Sequence, residues 1–196
     1  MAIMQALDVH LITRVVRQLG LPPSSQAASA GASARSIWAA TASSYAYGAE
    51  CDEFTQPTGF CPHAALLFEA ILEAALLVAG SAARLPRQSE AFKKIVVFAS
   101  GGLLREPQIS GLFSMLDERL QREGVQRRLD SIASAAERPE QAREVLRVAS
   151  LFGVAEAAGE LGTEKLDLLR ALTKRLGLPA QDLQTSVAEA KNVLFR

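Results

Sequence analysis

The stretch AAGELGTE, residues 157–164, separates two helix patterns near the end of this 196-residue chain and decides how the fold is interpreted. Apolar side chains recur at helical spacing before it, over residues 145–155, and leucines recur at the same spacing after it, over residues 166–176. This period predicts two amphipathic helices that each bury one face. Thr163 can cap the second helix and Gly177 can end it. The stretch therefore predicts a helix–loop–helix unit.

The same kind of pattern continues outward along the chain. It predicts helices over residues 3–19, 36–47, 63–80, 89–100, 107–124, 125–132, 139–155, 163–176 and 179–194. No stretch alternates with period two and β-branched enrichment, so no strand is predicted. Residues 63–80 are apolar on nearly all sides, which is typical of a central helix. We therefore expect an all-α fold, a single compact bundle of about seven helices built from two related halves, plus an N-terminal helical extension.

The first sixty residues differ in composition from the rest. Residues 1–61 are interpreted as an N-terminal extension, with an amphipathic helix, a flexible Ala/Ser/Gly linker and a short helix near residues 36–47. The linker is too poor in large apolar groups to offset the entropy of ordering it. Residues 62–196 are interpreted as the compact domain. We expect the first helix to be tethered, and to dock either on a partner or on the bundle itself.

Charge and composition exclude several classes of protein. Lys plus Arg equals Asp plus Glu at 21 each, so no strong field draws the chain to nucleic acid. Two cysteines are too few for the framework of a small secreted protein. The most apolar window is shorter than a membrane span and carries glutamates, so no transmembrane segment is predicted, while peripheral membrane association stays open. The expected location is cytoplasmic; the acid-poor, Arg/Ser/Ala-rich N-terminus leaves an organellar location as the alternative.

The stretch over residues 141–183 resembles the TerB family of tellurite-resistance-associated domains. The resemblance lies in the alanine-rich helix that ends at Ala157, the loop over residues 158–161, the acidic helix start at Glu164 and the Leu-Gly-Leu closure at residues 176–178. A weaker similarity covers residues 64–140. The resemblance implies a compact all-helical bundle of two related halves, in which acidic loop residues from both halves bind divalent metal.

The chain departs from that family pattern at the loop. Ala158 stands where the family usually has Asp, and Lys165 stands where a helix glutamate is expected. Glu160 and Glu164 remain, but a methyl group removes a ligand, and calcium takes six or more oxygens. In the first half, the loop over residues 80–88 has no acid and carries two arginines. We therefore predict that no residue of the chain forms a metal site.

Cysteine and histidine give one further candidate for metal binding or catalysis. Cys51, Cys61 and His63 are close in sequence, and His10 could supply a fourth zinc ligand. Their spacing fits none of the usual paired zinc patterns. The triplet Cys61-Pro62-His63 is also the most compact nucleophile–base candidate, but sequence neighbours across a proline rarely face each other. The favoured interpretation is two ordinary thiols and a histidine near a helix start.

Two carboxylates on the predicted central helix form the last candidate. Glu69 and Glu73 are four residues apart on one helical face and could act as paired carboxylates. Arginine partners are the simpler expectation, with Arg84, Arg87 and Arg105 as examples, because burial without them would raise the carboxylate pKa values. We assign no catalytic role to either glutamate.

These observations predict a non-enzymatic TerB-like module that mediates protein–protein interaction, with its ancestral metal site lost and no cofactor. Two alternatives stay open at the level of sequence. One is a tellurite or metal-stress protein that binds divalent metal through Glu160 and Glu164. The other is an accessory structural subunit of an organellar membrane-associated complex. The sequence leaves the partner and the oligomeric state open.

Overall fold

The computed structural model describes residues 9–20, 36–49, 61–80 and 86–195, with the side chains of residues 9, 47–49 and 86–89 left out. Within these residues the chain is helical and contains no strand, which confirms the predicted all-α class. The helices are α1 (Val9–Gly20), α2 (Ile37–Ala49), α3 (Pro62–Ala79), α4 (Pro86–Ala99), α5 (Glu106–Ala135), α6 (Pro139–Glu156), α7 (Thr163–Arg175) and α8 (Ala180–Phe195). The predicted segments before residue 9 and over residues 21–35 lie outside the described residues.

The start of α5 and the start of α6 use the same local device. A proline stands in the first turn of each helix, where its missing N–H costs no intrahelical hydrogen bond. The backbone N–H of Arg105 donates to the Gln108 side chain at 2.8 Å, and that of Arg138 donates to Gln141 at 3.0 Å. Each glutamine thus pairs a backbone donor at the helix entrance, which fixes both helix starts.

Helix α5 differs from the prediction of two separate helices. The chain runs from Glu106 to Ala135 with one interruption at Gly124, whose φ of 77° and ψ of 161° are non-helical. Glycine adopts positive φ without a Cβ clash, so the residue expected to end a helix instead kinks it. The segments on both sides of the kink stay packed on the bundle through buried Leu116 and Leu129.

The centre of the bundle is the contact between α3 and α6. Helix α3 also packs against α2 and α5, and most of its side chains are buried, as the sequence predicted. The helices approach closely at Gly153 of α6, where an added Cβ would lie 2.6 Å from Cγ1 of Val78. Of the described helices, α3 alone is long and apolar enough to cross a membrane by length and composition; 61% of it is buried inside the bundle.

Helices α1 and α2 belong to the same hydrophobic core as the later helices. Trp38 of α2 is fully buried, its ring meets Phe68 edge-on at 5.2 Å, and its indole N–H donates to the Ala99 carbonyl at 3.1 Å. Val15 and Leu19 of α1 are also fully buried in this core. Of the two docking places predicted for the first helix, the structure therefore has α1 on the bundle itself. A domain boundary at residue 62 stays a prediction, as does the origin of the bundle from two related halves.

Candidate functional site

The turn between α6 and α7 is the place that the resemblance marks as a former acidic loop. Ala158 and Gly159 both have positive φ, at 50° and 95°. The Gly159 N–H donates to the Val154 carbonyl at 3.0 Å, which closes the C-terminal end of α6. A Cβ added at Gly159 would lie 3.4 Å from the Phe195 ring, so the last described residue covers this turn. The turn is held by main-chain hydrogen bonds, and the side chain of its exposed alanine offers no ligand atom.

Lys165 lies beside that turn, in the first turn of α7. Its ammonium pairs with Glu156 and donates to the Ala79 carbonyl at 3.1 Å. Only 20% of the Lys165 side chain and 12% of the Glu156 side chain are exposed, and burial lowers the pKa of the lysine. Ala79 and Glu156 are the last residues of α3 and α6, where helix dipoles concentrate negative charge. The ammonium therefore links the C-terminal ends of the two central helices.

Glu160 and Glu164, the two carboxylates left from the family pattern, are exposed on the same turn and helix start. Within the part of the chain that the structure describes, no group of three or more His, Cys, Asp or Glu side chains is close enough to hold a metal ion. The structure thus does not bring these glutamates together with a third such side chain. In the loop of the first half, residues 81–85 lie outside the described residues.

The cysteine and histidine candidate is only partly described. Cys51 lies outside the described residues, and Cys61 is exposed with a free thiol at the entrance of α3. The His63 ring packs beside the start of α6, with Nε2 at 3.4 Å from Nε2 of Gln141 and Nδ1 at 3.6 Å from Glu137. The structure therefore places His63 next to an amide and a carboxylate.

The orientation of the Gln141 amide determines which nitrogen of His63 accepts its hydrogen bond. Its oxygen accepts the Arg138 backbone N–H at 3.0 Å, so its NH₂ group faces the imidazole. A hydrogen bond from that NH₂ group requires a lone pair on Nε2 of His63, which leaves the proton of the neutral ring on Nδ1, toward Glu137. Since Gln141 is buried and fixes the α6 entrance, this arrangement serves to join α3 to α6.

Glu69 and Glu73 do meet arginines, although the partners are not the examples that the sequence suggested. Arg128 of α5 binds Glu73 with two hydrogen bonds, Nε to Oε1 at 2.6 Å and Nη2 to Oε2 at 2.7 Å. Its remaining Nη1 donates to Glu123 at 2.8 Å, and Arg119 donates to Glu69 at 2.8 Å. The hydrogen bonds to Glu73 raise the pKa of Arg128. These carboxylates therefore hold α5 on α3.

Helix α1 lies on a surface made by α4, α6 and α8, with a smaller contact to α2. We call this surface, with Arg147 at its edge, the α1-binding surface. Val15 and Leu19 are buried there, four residues apart on one helical face, and Leu11 continues the stripe. Burying two such side chains stabilises docking by at most about 1.5–3 kcal/mol each. Leu11, Ile12 and Val16 are partly buried against the same core, so α1 packs through a broad apolar face.

Arg147 connects the α1-binding surface to the interior of the bundle. Its Nε and Nη2 bind both carboxylate oxygens of Glu144 at 2.7 and 2.8 Å, and Glu144 is fully buried. Its Nη1 donates to the Gln18 carbonyl at 3.0 Å. The final carbonyls of a helix lack intrahelical partners, so this donor satisfies one of them at the end of α1. On the other side, Arg14 of α1 donates to the Leu194 carbonyl near the end of α8.

Sequence reasoning missed the Arg147 contact and the Lys165 contact. A signal for the first was present, because Glu144 and Arg147 stand three residues apart on one face of α6, next to apolar Val145 and Val148. Buried charges of this kind need partners, so the pattern predicts an internal pair. For Lys165 the sequence showed only an unexpected residue at one position. Glu156 is nine residues away, but Ala79 of α3 is 86 residues away, and only the packing brings all three together.

Comparisons with protein families, with curated proteins and with solved structures found no match for this chain. The similarity to TerB domains therefore rests on the residues quoted above. Function has to be argued from the contacts of the described residues.

Proposed function

We propose that this chain is a non-enzymatic, TerB-like helical module that acts by binding other proteins, and that its ancestral metal site has been lost. The observation that carries the proposal is the pairing of the Lys165 ammonium with Glu156 and the Ala79 carbonyl. The ammonium occupies a carboxylate and a main-chain carbonyl beside this loop, so these oxygens are already used and are not available as ligands for a second cation. Metal handling is thus the less favoured function.

The charged groups in the interior also support a scaffold rather than a reaction site. Glu73 is bound by Arg128, and Glu144 is bound by Arg147, in both cases through two hydrogen bonds. Catalysis needs convergent polar groups that are available to a substrate. Glu73 holds α5 on α3, and Glu144 orients Arg147 of its own helix toward α1, so we assign both carboxylates a structural role. What such a bundle offers to other molecules is its surface.

Calorimetric titration of the full chain tests the metal part of the proposal. Calcium, magnesium and zinc should each give no stoichiometric binding at micromolar concentration. The Glu160→Ala, Glu164→Ala double variant is the matched control, because it removes the two exposed carboxylates of this turn and helix start and leaves Lys165 paired. Stoichiometric micromolar binding to the wild type that the double variant loses would establish the metal-binding alternative instead.

Affinity purification of the full chain from its own cells, followed by reconstitution with the purified partner, tests the protein-binding part. We expect a direct complex with a dissociation constant in the micromolar range or below. The full chain is needed because a truncation at Pro62 would remove Trp38 and Leu19 from the core. If no purified candidate binds the full chain directly, the protein-binding function is wrong.

A further inference from the structure

The turn between α4 and α5 exposes two large apolar residues. Phe98 is 63% exposed and Leu103 is 46% exposed, and they are two of the four exposed large hydrophobic residues in the described part of the chain. Single apolar residues are common on protein surfaces, whereas several at one place indicate a contact with another molecule or with a membrane. We call residues 98–103 the apolar turn.

The backbone of the apolar turn leaves its solvent side open. The Gly102 N–H donates to the Val97 carbonyl at 3.2 Å and the Gly101 N–H donates to the Phe98 carbonyl at 3.0 Å, which is the Schellman pattern of a helix end. In this motif an apolar side chain at the position of Gly102 commonly packs back on the helix. A Cβ added at either glycine would meet no atom within 4 Å. The turn therefore has no side chain of its own where one would cover its apolar groups.

The apolar turn is fixed to the bundle from behind. The hydroxyl of buried Ser100 accepts the Leu104 N–H at 3.2 Å, and the Leu104 side chain is fully buried. On the other side of Ser100, the Trp38 indole N–H donates to the Ala99 carbonyl at 3.1 Å. Because the backbone is held on both sides, the two exposed side chains are displayed on a rigid support. Such a surface loses less conformational freedom when it binds.

Basic residues surround the apolar turn. Lys94 is exposed one helical turn before Phe98 on the same face of α4, and Arg105 is exposed two residues after Leu103. Residues 81–116 contain five basic and two acidic residues, whereas the chain as a whole has no net charge. An apolar tip with cations around it matches the interface of an anionic bilayer, where apolar groups enter between the headgroups and cations lie beside the phosphates.

We propose that the apolar turn inserts into the interface of a lipid bilayer that carries anionic lipid. Phe98 and Leu103 enter between the headgroups, and Lys94 and Arg105 lie beside the lipid phosphates. Peptide-binding proteins commonly receive a helix in a groove or a strand at a sheet edge, whereas this turn is open and has cations on both sides. A lipid surface therefore fits it better than a partner helix. The inference goes beyond the proposed protein-binding function, because it places the module on a membrane surface whether or not a protein partner is bound.

Co-sedimentation of the full chain with vesicles tests the inference. Vesicles of phosphatidylcholine mixed with phosphatidylserine should bind the wild-type chain at least about tenfold more tightly than vesicles of phosphatidylcholine alone, because anionic headgroups attract the basic residues near the turn. High salt should weaken this binding, since it screens the attraction. The inference is wrong if the wild-type chain binds neither kind of vesicle, or binds both equally.

The double variant Phe98→Ser, Leu103→Ser tests the apolar part. It should bind the anionic vesicles at least about tenfold more weakly, and its circular dichroism and thermal melt should match the wild type because both residues are exposed. Phe195→Ser is the matched control: Phe195 is also 46% exposed but lies against Gly159, in the turn between α6 and α7, so this variant should bind like the wild type. Lys94→Glu should weaken binding severalfold. A folded double variant that binds like the wild type would refute the inference.

Fluorescence distinguishes insertion from adsorption by charge alone. Phe98→Trp adds an indole at the tip, and the emission of buried Trp38 is subtracted with the wild-type chain as reference. Lipids brominated on their acyl chains should quench the added indole, and binding without quenching overturns the insertion. Sedimentation velocity without vesicles tests the other occupant, a second copy of the chain. A wild-type dimer that Phe98→Ser, Leu103→Ser abolishes, together with no vesicle binding, would assign the turn to self-association and overturn the inference.

Discussion

The centre of the bundle and the α1-binding surface hold their helices in different ways. Between α3 and α6, Gly153 allows close approach, and Glu73 of α3 is bound by Arg128 of α5, where both side chains are almost fully buried. Helix α1 is held by two fully buried side chains and by hydrogen bonds to main-chain carbonyls. We therefore expect the larger share of the stability at the centre, because α1 lies at the edge of the core with one face exposed.

The largest effect is expected from breaking the central ion pair. Arg128→Ala leaves Glu73 buried without its counterion, which costs about 3–5 kcal/mol in the free energy of unfolding. Urea unfolding followed by circular dichroism measures this loss. The double variant Glu73→Leu, Arg128→Leu is the control, because removing both charges should restore most of the stability. A single variant as stable as wild type would show that the pair does not hold the centre.

A matched pair of leucine truncations compares the two regions directly. Leu72→Ala in α3 should cost roughly 2–5 kcal/mol, because the cavity lies in the centre of the bundle. Leu19→Ala in α1 removes the same atoms, but its cost is capped at the free energy that holds α1 on its surface. Hydrogen exchange should rise over residues 9–20 alone in the second variant. If both variants lower the free energy of global unfolding equally, the centre and the α1 contact do not differ in the way stated here.

The turn between α6 and α7 belongs to neither region, and a substitution there should have a smaller effect. Ala158 has a positive φ of 50°, which disfavours every residue with a Cβ. Ala158→Gly should therefore stabilise the chain by about 1 kcal/mol, reduced by the greater entropy of glycine in the unfolded chain. A thermal melt measures the effect, with exposed Ala188 of α8 replaced by glycine as the control, which should be destabilising. Destabilisation by Ala158→Gly would argue against this turn geometry.

The smallest effect is expected from acid. Hydrogen bonds from Arg128, and then from Arg122, hold the pKa of Glu123 below its ordinary value of 4.5. The stabilisation by this carboxylate is therefore present above pH 4.5 and is lost as the pH falls through the lower folded-state pKa. Glu123→Gln should flatten the pH dependence of unfolding in that acid window and leave it unchanged near neutrality. Identical acid profiles for variant and wild type would refute the assigned pairing.

The sequence was sufficient for the helices because their signals are local. Pro107 and Pro139 lie in the first turns of α5 and α6, and Gly177 follows the end of α7, as their backbone chemistry requires. Gly124 shows the limit of this reasoning, because positive φ is compatible with either a helix end or a kink. Because the segments on both sides of Gly124 pack on the bundle, this glycine forms a kink and does not end the helix.

Less of the candidate site could be predicted from the sequence. Glu73 was expected to meet an arginine, but which one depended on the way α5 crosses α3. Lys165 was noticed as an unexpected residue, and its partners could not be inferred because Ala79 is a main-chain contact from a distant helix. Main-chain carbonyls carry no sequence signature, so contacts to them are invisible before the fold is known.

The sequence by itself determined that this chain is helical, where most of its helices begin and end, and that α3 is the central helix. Only the tertiary structure decided that α1 lies on the bundle, that Arg147 meets the end of α1, and that an ammonium links the ends of α3 and α6. The physical reason is range: helix signals act over three or four residues, whereas charge pairing and burial depend on helices that are distant in the chain.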